Sequence, residues 1–311
     1  MAIAQYIKEI GRGKDGARAL TRAQAQDLFG QVLEGTVTDL EIGAFCLAMR
    51  IKGETAQEMA GFLDATSQRM QTIPAADRPL VVIPSYNGAR KLPLLTPLLA
   101  LLLAREGLRV LIHGAASEST RIFTADVLAA LGIAPATVVG PVAAGAVVFM
   151  PTALLCPGLQ RLLEVRRVIG LRNPAHSLVK LLQPGEGTNL LVSSYTHPEY
   201  AVSMAATFEL LRCNALLLRG TEGESVADPR RQPRLELFLQ GVRQELLPAR
   251  SGSLDKLPDL PQAIDPASTA RYIRAVLAGA SPVPEPIATQ LALIVRAEHQ
   301  LQTGSASTAA G

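Results

Sequence analysis

The sequence predicts two domains, a small all-helical N-terminal domain and a larger α/β domain with a mainly parallel sheet. Three observations lead to this fold class. Residues 1–72 carry apolar side chains at helical spacing, interrupted by glycines and capping residues. From residue 80 onwards, short β-rich runs alternate with apolar helical segments, which is the pattern of a parallel sheet. The length of 311 residues is sufficient for two cores.

Three helices with tight connections favour a small bundle in the first domain. They are predicted over residues 22–34, 40–52 and 56–71, with Thr21, Asp39 and Thr55 as N-caps. We assign residues 1–74 to this domain and expect part of 160–185 to join it.

The α/β domain is assigned to residues 79–301, and the small, polar tail 302–311 is predicted to be disordered. Its predicted strands are 80–83, 108–112, 189–193 and 215–218, and its predicted helices include 124–131, 200–211 and 266–278. Ligands of parallel sheets bind beyond the carboxyl ends of the strands. We therefore expect residues 84–91, 113–121 and 220–231 to surround one cleft.

Composition excludes several protein classes. A hydrophobic fraction of 48% with a net charge of +3 argues against a disordered chain. The three cysteines form neither a disulfide framework nor a close-spaced zinc motif, which predicts a cytoplasmic location. The apolar stretches 92–104 and 127–160 are short or broken by prolines and glycines, so no membrane association is expected.

Positive charge is concentrated in two segments. Residues 8–22 hold five cations and two acids, and residues 161–180 hold five cations and one acid. Clusters of this kind indicate an anionic partner if they share a face, and solvated helix surface if they do not.

Several strings carry a resemblance to a known family. The helical domain contains MRIKGET at residues 49–55, and the second strand ends in His113 and Gly114, followed by Ser119, Thr124 and Asp126. Over residues 4–300 the chain resembles anthranilate phosphoribosyltransferase and the type II nucleoside phosphorylases. The resemblance implies the phosphoribosyltransferase-like fold of the nucleoside phosphorylase class II type, and a homodimer built through the helical domain.

The donor loop departs from the pattern of that family. The family's Gly-Thr-Gly-Gly-Asp loop, which holds phosphoribosyl pyrophosphate, corresponds to residues 84–88, which read PSYNG. Pro84 has no N–H group to offer a phosphate. The family's Lys-His-Gly-Asn segment corresponds to residues 112–115, where the lysine is lost and His113 remains.

The metal-binding pair departs as well. The Asp-Glu pair that holds Mg²⁺ in the family falls at Ser225 and Val226, and Glu222 and Glu224 are the neighbouring carboxylates. Magnesium requires oxygen ligands, which Val226 lacks. We therefore expect no catalytic residues, no cofactor and no metal site, and we interpret the chain as a protein that is no longer an enzyme.

The strings IKEIGRGK at 7–14, IPSYNGARK at 83–91 and GTEGE at 220–224 are most similar to the YbiB-like branch of the family, described as nucleic-acid-binding relatives of the transferase. The resemblance implies sequence-nonspecific binding of DNA or RNA through phosphates. The predicted phosphate-binding residues are Arg12, Lys14, Ser85, Asn87, Arg90, Lys91, Arg166, Arg167, Arg172 and Lys180, with His113 and Tyr86 as further anion contacts.

Alternatives remain open for the whole chain and for single residues. The chain is alternatively an active glycosyl or phosphoribosyl transferase with an altered donor loop, or a protein that binds a small phosphorylated ligand. Tyr86 alternatively packs against its own turn, and His113 alternatively fixes the turn after its strand by hydrogen bonding.

Overall fold

The computed structural model describes residues 3–115 and 120–308, and its N-terminal part is a helical domain. Three of its helices begin at threonines, each with a hydroxyl that accepts a hydrogen bond from the third N–H group of the helix. The side chain at that third position bonds back to the threonine, which completes a capping box. The helices are α1 (Ala4–Ile10), α2 (Gly13–Gly16), α3 (Arg22–Glu34), α4 (Asp39–Lys52) and α5 (Ala56–Ser67).

Two predicted boundaries are corrected. The N-cap of α4 is Thr38, not Asp39, because the Thr38 hydroxyl bonds to the backbone of Glu41 while Asp39 lies in the first turn. Helix α5 ends at Ser67, before the predicted end at Gln71. The Gln71 N–H group donates instead to the carbonyl oxygen of Leu155, in a segment from the other domain.

A buried ion pair joins the end of α4 to α5. Lys52 Nζ lies 2.6 Å from Glu58 Oε2, and both side chains are buried. Glu58 also accepts hydrogen bonds from the backbone of Leu20 and Thr55. A buried carboxylate is stable only when it is paired and hydrogen-bonded. Lys52 and Thr55 of the MRIKGET segment therefore stabilise Glu58 in this position.

The second domain contains one seven-stranded sheet in the order β3-β2-β1-β4-β5-β6-β7. Strands β1 to β5 are parallel, and β6 and β7 form an antiparallel hairpin at one edge. The predicted fold class is thus confirmed. The strands are β1 (Leu80–Ser85), β2 (Arg109–Gly114), β3 (Val147–Pro151), β4 (Asn189–Tyr195), β5 (Ala215–Arg219), β6 (Leu235–Leu239) and β7 (Val242–Leu247).

Helices cover both faces of the sheet. Alternate strand residues enter two different cores, so that Val81 and Ile83 pack on one side while Leu80 and Val82 pack on the side of the helical domain. The helices are α6 (Thr96–Arg105), α7 (Thr124–Leu131), α8 (Thr152–Leu155), α9 (Pro157–Ile169), α10 (Ala175–Leu178), α11 (Pro198–Leu210), α12 (Pro266–Leu277) and α13 (Glu285–Thr308).

Helix α9 packs against α3 of the helical domain. At their closest approach, a Cβ atom on Gly158 would overlap the Leu33 carbonyl oxygen, so only glycine fits there. We propose that residues 1–74 form one domain together with part of 160–185. The packing of α9 against α3 supports this proposal. The backbone of α13 continues to Thr308, which lies within the segment 302–311 for which the sequence predicts disorder.

Three strands lie outside the sequence-based predictions. Strand β3 lies within the uncharged stretch 127–160, and β6 and β7 are joined by Gln240 and Gly241, both with positive φ. Such a turn suits a two-residue hairpin. Within the described ranges, none of the helices combines the length and the apolar character that crossing a membrane requires.

Candidate functional site

The loop after β1 and the segment after β5 meet at the carboxyl edge of the sheet, as the topology predicts. We call residues 220–226, which follow β5, the strap. The loop after β2 also reaches this point, because Ala89 forms an isolated antiparallel bridge with Ile122 and Arg121 donates to the carbonyl oxygen of Asn87 at 3.0 Å. Residues 116–119 of that loop, including Ser119, lie outside the described part of the chain.

Glu224 of the strap is inserted into the loop after β1. Its side chain is 1% exposed, and one carboxylate oxygen accepts hydrogen bonds at 2.8 Å from the backbone N–H groups of Asn87 and Gly88. The other oxygen accepts from the hydroxyls of Ser85 and Thr96. Four donors therefore surround one internal carboxylate.

Glu222 forms a second contact of the same kind. Its carboxylate accepts hydrogen bonds from the backbone N–H groups of Arg90, Lys91 and Leu92, at 3.2, 2.8 and 3.0 Å. Between the two glutamates, Gly223 has φ +89°, and a Cβ atom there would overlap Asn87 Nδ2. Glycine is thus required for the strap to reach the loop.

The strap and the loop together form an anion-binding arrangement that the protein fills with its own side chains. Consecutive backbone N–H groups that point to one place bind phosphate or carboxylate groups. Here Glu224 and Glu222 accept five such N–H groups, from residues 87, 88, 90, 91 and 92. An external phosphate at these N–H groups would have to displace the strap.

The residues present do not fit a magnesium ion. The oxygens of Glu222 and Glu224 are engaged by N–H and hydroxyl donors, which a cation would repel. Ser225 donates its hydroxyl to the Pro84 carbonyl oxygen, and Val226 is a buried apolar residue. Among the described residues, no group of three His, Cys, Asp or Glu side chains is arranged to hold a metal.

Four of the predicted anion contacts have internal partners instead. Ser85 bonds to Glu224 and Thr124, and the Asn87 side chain donates to the Glu222 carbonyl oxygen. The Tyr86 hydroxyl lies 2.7 Å from His113 Nδ1 and 2.8 Å from Thr152 Oγ1. All four side chains are buried.

Burial also determines the protonation states of His113 and Tyr86. It lowers the pKa of His113 to about 3, so the imidazole is neutral at physiological pH and adds no positive charge for an anion. Burial raises the pKa of Tyr86, which keeps the phenol protonated as a hydrogen-bond donor. Tyr86 and His113 therefore fix the turns after β1 and β2, in agreement with the alternative interpretation, and we leave them out of the binding surface together with Ser85 and the Asn87 side chain.

The arginines of α9 and of the segment after it are brought together next to this loop. Arg166, Arg167 and Arg172 line a small cavity of about 20 Å³ with Tyr86 and Asn87. Arg167 and Arg172 are exposed. The structure thus joins three of the predicted cations at the loop after β1, although they lie some 80 residues away in the sequence.

The other predicted cations are distributed around this cavity and the N-terminus. Arg90 and Lys91 are exposed, and Glu222 holds their backbone while leaving their side chains unpaired within the described part of the chain. Arg12 is exposed on the helical domain and pairs with Glu9 at 2.8 Å. The side chain of Lys14 lies outside the described part of the structure.

Lys180 occupies the cleft between the two domains, a cavity of about 410 Å³ that the MRIKGET segment also lines. Its Nζ donates to the carbonyl oxygens of Gly223 and Ser194 at 3.0 and 3.3 Å. Burial, with a smaller contribution from Arg172, lowers the pKa of Lys180 to about 8, while Glu224 acts in the opposite direction. Lys180 therefore links the strap, at Gly223, to the end of β4, at Ser194.

Sequence reasoning missed the role of the strap. It names Glu222 and Glu224 only as the carboxylates next to the lost metal-binding pair, whereas both act as hydrogen-bond acceptors for the neighbouring loop. The available signal was two acidic residues flanking a single glycine directly after a central strand, opposite a loop without carboxylates. That pattern places two acids beside the loop but does not report which groups they pair with.

Comparisons with a family model and with known proteins identify proteins that are similar to this chain. Residues 4–70 match the family model described as the glycosyl transferase family, helical bundle domain. The chain is 42% identical over 316 residues to the uncharacterized protein YbiB of Escherichia coli strain K12, an alignment that covers 99% of this chain and 96% of that protein. It is 30% identical over 275 residues to the anthranilate phosphoribosyltransferase of Sorangium cellulosum strain So ce56, which covers 84% of this chain and 76% of that protein.

The solved structures agree on the fold. The crystal structure of anthranilate phosphoribosyltransferase from Thermus thermophilus is similar with a TM-score of 0.69, at 22% identity, and covers 96% of this chain and 88% of that chain. Sequence and fold thus point to the same relatives, and the chain belongs to the anthranilate phosphoribosyltransferase-like family.

Proposed function

We propose that this protein binds DNA or RNA through the phosphate backbone and does not transfer phosphoribosyl groups. The observation that carries the proposal is Glu224, whose carboxylate accepts the N–H groups of Asn87 and Gly88 in the loop after β1. A phosphorylated donor bound as the family pattern implies would need N–H groups of this loop. Because the strap supplies its own anion there, the donor position is closed.

Transfer also requires stabilisation of the departing pyrophosphate by a metal or by oriented cations. Ser225 and Val226 supply no carboxylate, and His113 is buried and neutral. The residues that would perform the chemistry are therefore missing, while the cations around the loop remain.

Those cations suit a phosphate backbone. Arg90, Lys91 and Arg167 are exposed, and the planar guanidinium group of arginine donates two parallel hydrogen bonds to phosphate. Phosphate contacts position a protein on nucleic acid without reading its sequence. The expected binding is therefore nonspecific and governed by ionic strength.

Replacing Arg90 and Lys91 together by alanine tests this surface. Affinity is expected to fall alike for all nucleic-acid sequences, and the slope of log K against log salt is expected to flatten by up to about two, because two phosphate contacts are lost. The Glu222 contact involves only the backbone of these residues, so it survives the substitution. Fluorescence anisotropy at several salt concentrations measures both quantities.

The matched control is Arg271→Ala with Arg296→Ala, which removes two exposed cations from α12 and α13. The control is expected to keep the slope of the wild type. If the Arg90 and Lys91 variant keeps it as well, the assigned surface is wrong.

A second candidate function is phosphoribosyl transfer, and the name of the Sorangium cellulosum relative at 30% identity favours it. The two functions are separated by incubating the protein with anthranilate and phosphoribosyl pyrophosphate, with and without Mg²⁺. Magnesium-dependent product formation would overturn our reading of the closed donor position, whatever the nucleic-acid assay shows.

We further propose a homodimer through the helical domain, in the cytoplasm, where the three buried cysteines stay reduced. Helix α4 presents one row of exposed apolar side chains, with Leu40, Leu47 and Ile51 at 84%, 48% and 55% exposure. Spacings of seven and four residues place them on one helix face. Such a row is expected to be covered by a partner.

Leu47→Glu is expected to convert the dimer into monomers, because a charge at the centre of the row would be buried in the interface. Light scattering coupled to size-exclusion chromatography measures the mass. The control is Gln57→Glu, which adds the same charge to the exposed surface of α5 and should leave the mass unchanged. A wild type that elutes as a monomer would contradict the proposal.

A further inference from the structure

A second basic cleft lies between the strap, helix α11 and the β6–β7 hairpin. It has a volume of about 720 Å³, and seven of its lining side chains are Lys or Arg while three are acidic. We call it the arginine cleft. Only Lys91 among its cations belongs to the surface described above, so most of this positive charge is unassigned.

Two acidic groups orient four of the arginines. Each carboxylate contacts two guanidinium groups, with N–O distances between 2.7 and 3.5 Å. The groups are Glu236 with Arg234 and Arg243, and Asp228 with Arg230 and Arg231. Asp228 is shared by two arginines, so its group keeps positive charge, whereas Arg234 also contacts Glu245 at 2.9 Å, which makes the Glu236 group neutral overall. Both carboxylates hold their arginine side chains in place, which lowers the entropy cost of binding an anion.

Among the residues that the structure describes, the remaining three cations have no acidic partner. Lys91, Arg219 and Arg250 are exposed, and none of them forms an ion pair within the described part of the chain. A positive surplus confined to one cleft requires several negative charges in the ligand. A chain of phosphates supplies them at short, regular intervals.

One wall of the cleft is not charged. Tyr195 ends β4 beside Arg219, its register partner on β5, and Pro198, Ala201 and Val202 of α11 continue the wall. Val202 is 71% exposed. An aromatic ring and aliphatic groups in one cleft with arginines match a nucleotide, whose base stacks on the ring while its phosphates meet the cations.

We infer that the arginine cleft binds an unpaired strand of nucleic acid, with phosphates on Lys91, Arg219 and Arg250 and a base against Tyr195. The inference rests on the proposed function and adds the form of nucleic acid that this cleft selects. An unpaired strand is required because the bases of a duplex are stacked on one another and cannot reach Tyr195.

The test compares a fluorescent 20-nucleotide oligothymidine with a duplex of the same length, by anisotropy at several salt concentrations. Arg219→Ala with Arg250→Ala is expected to lower the salt slope for the single strand by about 1.4, since each lost contact accounts for about 0.7. Tyr195→Ala is expected to lower single-strand affinity about tenfold with an unchanged slope, and Tyr195→Phe to keep it. Duplex affinity should respond little to Tyr195→Ala.

Arg271→Ala with Arg296→Ala is again the charge-matched control, and thermal melting confirms that each variant is folded. If the wild type binds the single strand but the Arg219 and Arg250 variant behaves like the control, the inference is overturned and the proposed function stands. The inference also fails if Tyr195→Ala weakens single-strand and duplex binding equally or changes neither. A wild type that binds no nucleic acid overturns the proposed function itself.

Discussion

Replacing Glu224 by alanine is expected to lower the free energy of unfolding by about 3–5 kcal/mol. The substitution removes the acceptor for the N–H groups of Asn87 and Gly88 and for two buried hydroxyls. Each buried donor left without a partner costs about 1–3 kcal/mol, and partial relaxation of the loop reduces the sum. Urea denaturation followed by circular dichroism measures the loss.

Two further measurements test whether the loss of stability in the Glu224→Ala protein arises from the contact between the strap and the loop. Glu186→Ala removes an exposed carboxylate that bonds to the Thr72 hydroxyl and should cost less than about 1 kcal/mol. Millimolar pyrophosphate should raise the melting temperature of the Glu224→Ala protein by more than that of the wild type, because only the variant adds free loop N–H groups to the surface cations that both proteins present. A loss for Glu224→Ala no larger than that for Glu186→Ala would contradict the role assigned to the strap.

The part of the fold that could be predicted is the part with strong local signals. The sequence predicts helix α7 at residues 124–131, its observed bounds, because its apolar periodicity ends at Gly132, where the backbone is left-handed. The hairpin of β6 and β7 escapes prediction, since Gln240 and Gly241 form its turn without the Asn-Gly or Asp-Gly signal that marks such hairpins. Strand β3 escapes it because the strand lies at the other edge of the sheet within a long uncharged stretch, where periodicity does not distinguish strand from helix.

The position of the candidate site could be predicted from the sequence, but the contacts within the site could not. Topology places the loops after β1 and β5 at one edge of the sheet, and they do meet there. Which side chains remain available to a ligand depends on pairing across 137 residues of sequence, as between Asn87 and Glu224. No local pattern reports such a pairing, and for the same reason the sequence alone assigns no role to the arginines around the β6–β7 hairpin.

Raising the salt concentration from about 50 to about 200 mM is expected to weaken nucleic-acid binding roughly a thousandfold. On duplex DNA, six to eight phosphate contacts correspond to a slope of roughly −5 to −7, and a fourfold increase in salt then lowers the affinity by about three orders of magnitude or more. The exposed cations of the proposed surfaces suffice for that number of contacts. They are Arg12, Arg90, Lys91, Arg167, Arg172, Arg219 and Arg250.

The slope also separates phosphate binding from the alternatives. A small phosphorylated ligand on the Arg166 to Arg172 cavity would meet two or three cations, which limits the slope to about −2 or −3. Melting curves over the same salt range are the control, since unfolding would mimic lost affinity. A measured slope near −2 would therefore contradict a strand that spans both the loop after β1 and the arginine cleft, because a strand in contact with both surfaces must release counterions at each of them.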